Sequence, residues 1–172
     1  VSASDCWAAG FYYDENGSTY QTLMERWDGT SWTIVPSPNT SATQDNRLWG
    51  LTCSSPSDCW AVGFYYDDIL GADQNLIERW DGSSWAIVSS PLPPLASESA
   101  LLGVTCTSAS DCWAVGYYGN GINDQGLIEH WDGSSWTSDS SPPPLAVDSA
   151  LLGLACASAS DCWAVGYYYD AN

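Results

Sequence analysis

Lysine is absent, arginine occurs three times and histidine once, against 21 acidic residues, so the 172-residue chain carries a formal net charge of −18. A field of that sign repels phosphate, which argues against nucleic acid and anionic membrane as partners. Long apolar runs are also missing. Stretches such as Ala100–Leu102 fall far short of the ~20 residues a membrane helix needs, so no membrane insertion is expected. One His leaves too few ligands for a zinc centre. Nucleophile elbows, phosphate loops and zinc-protease signatures do not occur, so no catalytic residue is assigned and no enzyme is expected.

What the chain has in abundance is repetition. DCWAVG stands at Asp58–Gly63, Asp111–Gly116 and Asp161–Gly166, and DCWAAG at Asp5–Gly10. The offsets of 53, 53 and 50 residues are the size of propeller blades or related arrays. Each period reads as four strands. The first is RLWGLTC at Arg47–Cys53 and its equivalents at Ala100–Cys106 and Ala150–Cys156; the second is CWAVG with its following aromatics. The third is TLMERW at Thr22–Trp27, NLIERW at Asn75–Trp80 and GLIEHW at Gly126–Trp131, and the fourth begins at Trp32, Trp85 and Trp136. An Asp-Gly turn joins the last two, because glycine takes positive φ at little cost.

In the second strand, Trp60, Val62 and Phe64 alternate with Ala61, Gly63 and Tyr65. Both faces are apolar, so both are expected to be covered, as in a blade between two others. Pro-rich links follow the fourth strand at Val35–Asn39, Ser89–Leu95 and Ser140–Leu145. Each is long enough to cross roughly 14 Å from the outer edge of one sheet to the inner strand of the next. The expected fold is all-β: an array of four-stranded antiparallel propeller-type blades, three repeats of 50–53 residues plus a partial one, incomplete at both ends. The expected units are 1–46 (first strand missing), 47–99, 100–149 and 150–172 (first two strands only).

Seven cysteines point to an oxidising compartment. Cys53 and Cys59, Cys106 and Cys112, and Cys156 and Cys162 share one spacing, across small turn-forming residues, and each pair is expected to staple its own hairpin. A loop this short contributes about 2 kcal/mol per bridge in the chain-entropy account. Cys6 has no counterpart at this spacing and is expected to stay unpaired or to bond to another molecule. Because Ala157–Asn172 restates Val1–Asn16, the chain is expected to be completed by further blades, from a longer chain or from identical subunits.

Taken together, LxGVxCxSxSDCWAVGYY, LIExWDGSSW and a Pro-rich link resemble the kelch-like and Asp-box-like β-propeller repeats of secreted or surface-anchored bacterial proteins. The resemblance implies bladed sheets and an extracellular or cell-surface location. It leaves activity open, since propellers host many functions.

Ten of eleven tryptophans occupy repeat positions, where packing between blades is the ordinary role. Trp49, standing where the other units have Leu102 and Leu152, is the better ligand candidate, with Tyr13, Tyr66, Tyr118 and Tyr168 as further stacking faces for sugar rings. The loops after the second strand are acidic. Asp14, Asn16, Asp67, Asp68, Asp73, Asn123, Asp124 and Asp170 could offer oxygen to calcium, the one cofactor considered, or could simply form acidic turns. Asn16 and Asn39 open N-glycosylation patterns. The expected function is that of a non-enzymatic extracellular structural protein, its blades forming part of a surface layer, filament or adhesin; the alternative is a lectin-like propeller that binds glycans between blades.

Overall fold

The computed structural model describes residues 4–94, 96–139 and 148–169. Those residues form thirteen β-strands and no helix. The first sheet holds β1 (Cys6–Asp14), β2 (Thr19–Trp27) and β3 (Trp32–Val35). The second holds β4 (Asn46–Ser55), β5 (Asp58–Asp67), β6 (Ala72–Trp80) and β7 (Trp85–Val88). The third holds β8 (Glu98–Ser108), β9 (Asp111–Gly119), β10 (Asp124–Trp131) and β11 (Trp136–Asp139), and the fourth β12 (Asp148–Ser158) and β13 (Asp161–Tyr169). In every sheet the strands follow chain order and pair antiparallel, so each is a meander, and the second and third are complete four-stranded blades. β4, β8 and β12 lie side by side as the inner strands of successive blades.

Glycine sets how closely those inner strands approach. A Cβ built on Gly50 would lie 3.1 Å from the Gly103 Cα, and one on Gly103 would lie 3.2 Å from the Gly153 Cα, so a side chain at either would push neighbouring blades apart. Just before each of these glycines the pairing of the first two strands slips, between Leu48 and Gly50, Leu101 and Gly103, and Leu151 and Gly153. The residue left in each bulge is Trp49, Leu102 or Leu152.

The turns follow from local hydrogen bonding. Asp81 Oδ1 accepts from the Ser83 and Ser84 amides at 2.8 and 2.9 Å and from the Ser83 hydroxyl at 2.7 Å. Asp28 and Asp132 do the same in their turns. Chiefly through the hydroxyl bond, these three carboxyls are held down at about pKa 2. The glycines that follow, Gly29, Gly82 and Gly133, share φ 97°, a left-handed conformation that glycine alone takes freely. At the same end of the second and third sheets, and at the matching end of the fourth, the first hairpin is closed by a disulfide between register partners: Cys53–Cys59, Cys106–Cys112 and Cys156–Cys162. Cys6 opens β1, half-buried and opposite Trp27.

Tryptophan fills the space between blades. Trp7 of β1 packs on Trp80 and Trp85 of the second sheet, with ring centroids 4.9 and 5.3 Å apart. Trp60 of β5 repeats the arrangement on Trp131 and Trp136 of the third, at 4.8 and 5.2 Å. The alternation read in β5 operates as two faces. Trp60 and Val62 join the core shared with the third sheet, while Cys59, Ala61 and Tyr65 join the core shared with the first. Arg26 and Arg79, which follow Glu25 and Glu78, reach across to the aspartate of the DCW motif, Asp5 at 2.9 Å and Asp58 at 2.8 Å. His130 takes the same place against Asp111.

Candidate functional site

The bulge carries a tryptophan in the second unit alone. It leaves the Trp49 side chain 52% exposed beside the edge of the first sheet. There it meets Phe11 of β1, ring centroids 5.6 Å apart. Phe11 in turn packs edge-on against Tyr20 of β2 at 5.4 Å, and Tyr20 against Tyr13 at 5.2 Å. Two residues before Trp49, Arg47 lays its guanidinium over this group, 4.1 Å from the Tyr20 centroid, 5.4 Å from Phe11 and 5.7 Å from Phe64.

Asp45 holds the arginine in place. Its Oδ2 accepts from Arg47 Nη2 at 2.8 Å, and its Oδ1 from the Tyr20 amide at 2.9 Å. One carboxylate thus ties the inner strand of the second blade to the third strand of the first blade. Arg47 Nε, also buried, donates to no group among the described residues. The result is an exposed indole face, a second aromatic behind it, and an oriented Arg–Asp pair at one rim: an apolar platform beside directional donors and acceptors.

Among the described residues the cluster occurs once. Arg47 stands where the later units have Ala100 and Ala150, and Trp49 where they have Leu102 and Leu152. Of the stacking residues expected from the sequence, Trp49 and Tyr13 are joined here through Phe11 and Tyr20, while the others stand apart on β5, β9 and β13. Tyr66 is exposed on β5, Tyr168 is exposed on β13, and Tyr118 packs partly buried against the core between the second and third sheets. Phe11, Tyr20, Asp45 and Arg47 were not singled out from the sequence. The one signal for them was the R-x-W of β4, where the other units have A-x-L.

The acidic loops form turns. Asp14 Oδ1 accepts from the Asn16 amide at 3.0 Å and its side chain at 3.2 Å, and Asp67 Oδ1 from the Ile69 and Leu70 amides at 2.8 and 3.1 Å. Asn123 donates its amide to Asn120 Oδ1, and Asp68 is exposed in its turn. Asp73 and Asp124 begin or adjoin the third strands, and both carboxyls are raised, chiefly by burial, then by Glu98 for Asp73 and by Asp148 for Asp124. Asn123, Asp124, Asp148 and Glu98 line a cavity of ≈ 320 Å³. Among the described residues, no group of three or more His, Cys, Asp or Glu is arranged to hold a metal ion. Asp170 lies outside the described residues. Asn16 is exposed, whereas Asn39 is half-buried with its Oδ1 accepting from the Thr22 amide at 2.9 Å.

No family model matches the chain, and no curated protein matches it. Among solved structures it is similar to a fucose lectin from Kordia zhangzhouensis, determined in complex with methyl-fucoside. The two share 12% sequence identity and a TM-score of 0.50, over 81% of this chain and 93% of that one. At that identity the likeness concerns the fold, and it agrees with an all-β array of propeller-like blades.

Proposed function

We propose that this protein is a non-enzymatic, lectin-like propeller that binds carbohydrate at the Trp49 cluster. The carrying observation is the placement of an exposed Trp49 against Phe11, beside the Arg47–Asp45 pair. The C–H face of a pyranose stacks on an indole, and its hydroxyls exchange hydrogen bonds with a guanidinium and a carboxylate. Methyl-fucoside, the ligand of the similar lectin, is therefore the first sugar to try. Three disulfides favour action in an oxidising compartment, outside the cell or at its surface.

The test is calorimetric titration with methyl-fucoside together with a glycan array. Binding is expected for the wild type, and Trp49→Ala or Arg47→Ala is expected to weaken it at least about tenfold, or ~1.4 kcal/mol. Binding lost in Tyr66→Ala and Tyr118→Ala but kept in Trp49→Ala would move the site to the repeated clefts between blades. No binding across the array at saturating protein would remove the lectin reading.

The alternative, a structural part in a surface layer, filament or adhesin, draws its support from a different region, the two end faces of the blade array.

A further inference from the structure

The contact between blades has a donor and an acceptor. The donor is the tryptophan of the second strand, and the acceptor is the tryptophan pair flanking the Asp-Gly turn of the next sheet. The contact is made twice, Trp7 on Trp80 and Trp85, and Trp60 on Trp131 and Trp136, with centroid distances agreeing within 0.1 Å. In both, donor and acceptor are sealed: Trp60 is 0% exposed, and the four acceptor rings are 5–6% exposed.

Two donors and one acceptor are left over; of the donors, Trp113 on β9 is half-buried and stacked on His130 with ring centroids 4.1 Å apart, which leaves Trp163 as the exposed one. On β13, the face that corresponds to Trp60, Val62 and Phe64 carries Trp163, Val165 and Tyr167, which are 73%, 66% and 49% exposed. Trp163 Nε1 donates to Asp161 Oδ1 at 3.0 Å, so the ring's polar edge is already bonded and its face is presented. At the opposite end of the array, Trp27 and Trp32 flank the turn of the first sheet, 5.9 Å apart, the same separation as Trp80 and Trp85. Trp32 is 48% exposed, and Ala8, the counterpart of the buried Ala61, is exposed as well.

We propose that these two faces are each other's partners: the molecule self-associates head to tail, with the Trp163 face of one copy seated on the Trp27–Trp32 face of a second. The argument is continuity with the interface already made twice within the chain. The acceptor pair has the geometry that receives Trp7 and Trp60, and the donor face has the residue types that fill it. Such a contact joins unlike surfaces, so it extends into a ring or a filament instead of stopping at a symmetric dimer. Because it is apolar and every copy carries the same strong negative charge, salt should strengthen it by screening the repulsion between copies. The contact is independent of the sugar site, since Trp49 and Arg47 take no part in it.

Analytical ultracentrifugation of the 172-residue chain over a range of concentration and salt tests the proposal. The wild type is expected to show masses above a dimer that grow with concentration and with salt. Trp163→Ala and Trp32→Ala change exposed side chains, so each should melt at the wild-type temperature and each alone should be monomeric. Mixed in equal amounts, they have one intact donor and one intact acceptor between them, and are expected to form a dimer and nothing larger. A wild type that stays monomeric throughout overturns the proposal and assigns these faces to some other cover, such as further blades in the same polypeptide. Variants that associate like the wild type, or a mixture that stays monomeric, also overturn it.

Discussion

Replacing Trp60 by alanine is expected to destabilise the protein by about 3–5 kcal/mol, the range for removing a large aromatic from a packed core. Trp60 is fully buried, and its ring is held on two sides by Trp131 and Trp136. Arg79 lies over it at 4.8 Å, itself anchored to Asp58. Truncation would leave a cavity that cannot collapse, because the inner strands β4 and β8 are already in backbone contact at Gly50 and Gly103. It would also take the apolar cover from Arg79. The measurement is urea unfolding with the disulfides intact, Trp60→Ala beside Trp163→Ala. The exposed Trp163 should shift stability by no more than about 0.5 kcal/mol. A Trp60 cost below about 1 kcal/mol would mean that the tryptophan contacts do not hold the blades together.

The contrast between these two tryptophans also shows what a repeat sequence conveys. Period, strand order within a blade, the Asp-Gly turns and the two-faced second strand all come from patterns that recur, and recurrence is visible without coordinates. The bulge that carries Trp49 is not visible, because a bulge is a mismatch between two strands and each strand alone reads normally. The aromatic group around Trp49 is equally hidden, since Phe11 and Tyr20 come from one sheet and Arg47 from the next. The acidic loops suggested calcium oxygens by composition. In the fold Asp14 and Asp67 each direct an oxygen at amides two or three residues onward, a turn-closing role that the same composition serves equally well.

A single pair of equivalent glutamates gives the other large expected effect. Glu129 is fully buried between the second and third sheets, where its Oε1 accepts from Asn75 Nδ2 and from the Ser90 hydroxyl, both at 2.8 Å. Glu78 is its counterpart one blade earlier, equally buried, and neither of its oxygens has a hydrogen-bond partner among the described residues. The first sheet explains the difference. Thr22 and Ser37 stand at the positions of Asn75 and Ser90, and their hydroxyls bond to each other at 2.7 Å. Burial raises both carboxyls from an ordinary 4.5, Glu78 to about 8 and Glu129 only to about 7, because its hydrogen bonds partly offset the desolvation.

A raised carboxyl binds its proton more tightly in the folded chain than in the unfolded one. Its contribution to stability is therefore complete below pH 4.5 and is lost progressively as pH rises from there to the folded pKa, about 7 for Glu129 and about 8 for Glu78. The turn aspartates Asp28, Asp81 and Asp132, lowered to about 2, act in the opposite sense and lose their contribution as pH falls from about 4 toward 2. Unfolding midpoints should accordingly be highest at mildly acidic pH and fall steadily to pH 8. For Glu78 alone the loss is on the order of 4 kcal/mol, at about 1.4 kcal/mol per pKa unit. Glu78→Gln removes the ionisable group without changing its shape, so the variant should match the wild type near pH 4.5 and exceed it increasingly from about pH 5 to about pH 8. Glu129→Gln should gain less, because its raised pKa is lower and its bonds from Asn75 and Ser90 are at stake. A wild-type profile that is flat from pH 5 to 8, or a Glu78→Gln variant whose profile runs parallel to it, would show that this glutamate stays ionised and solvated inside the array.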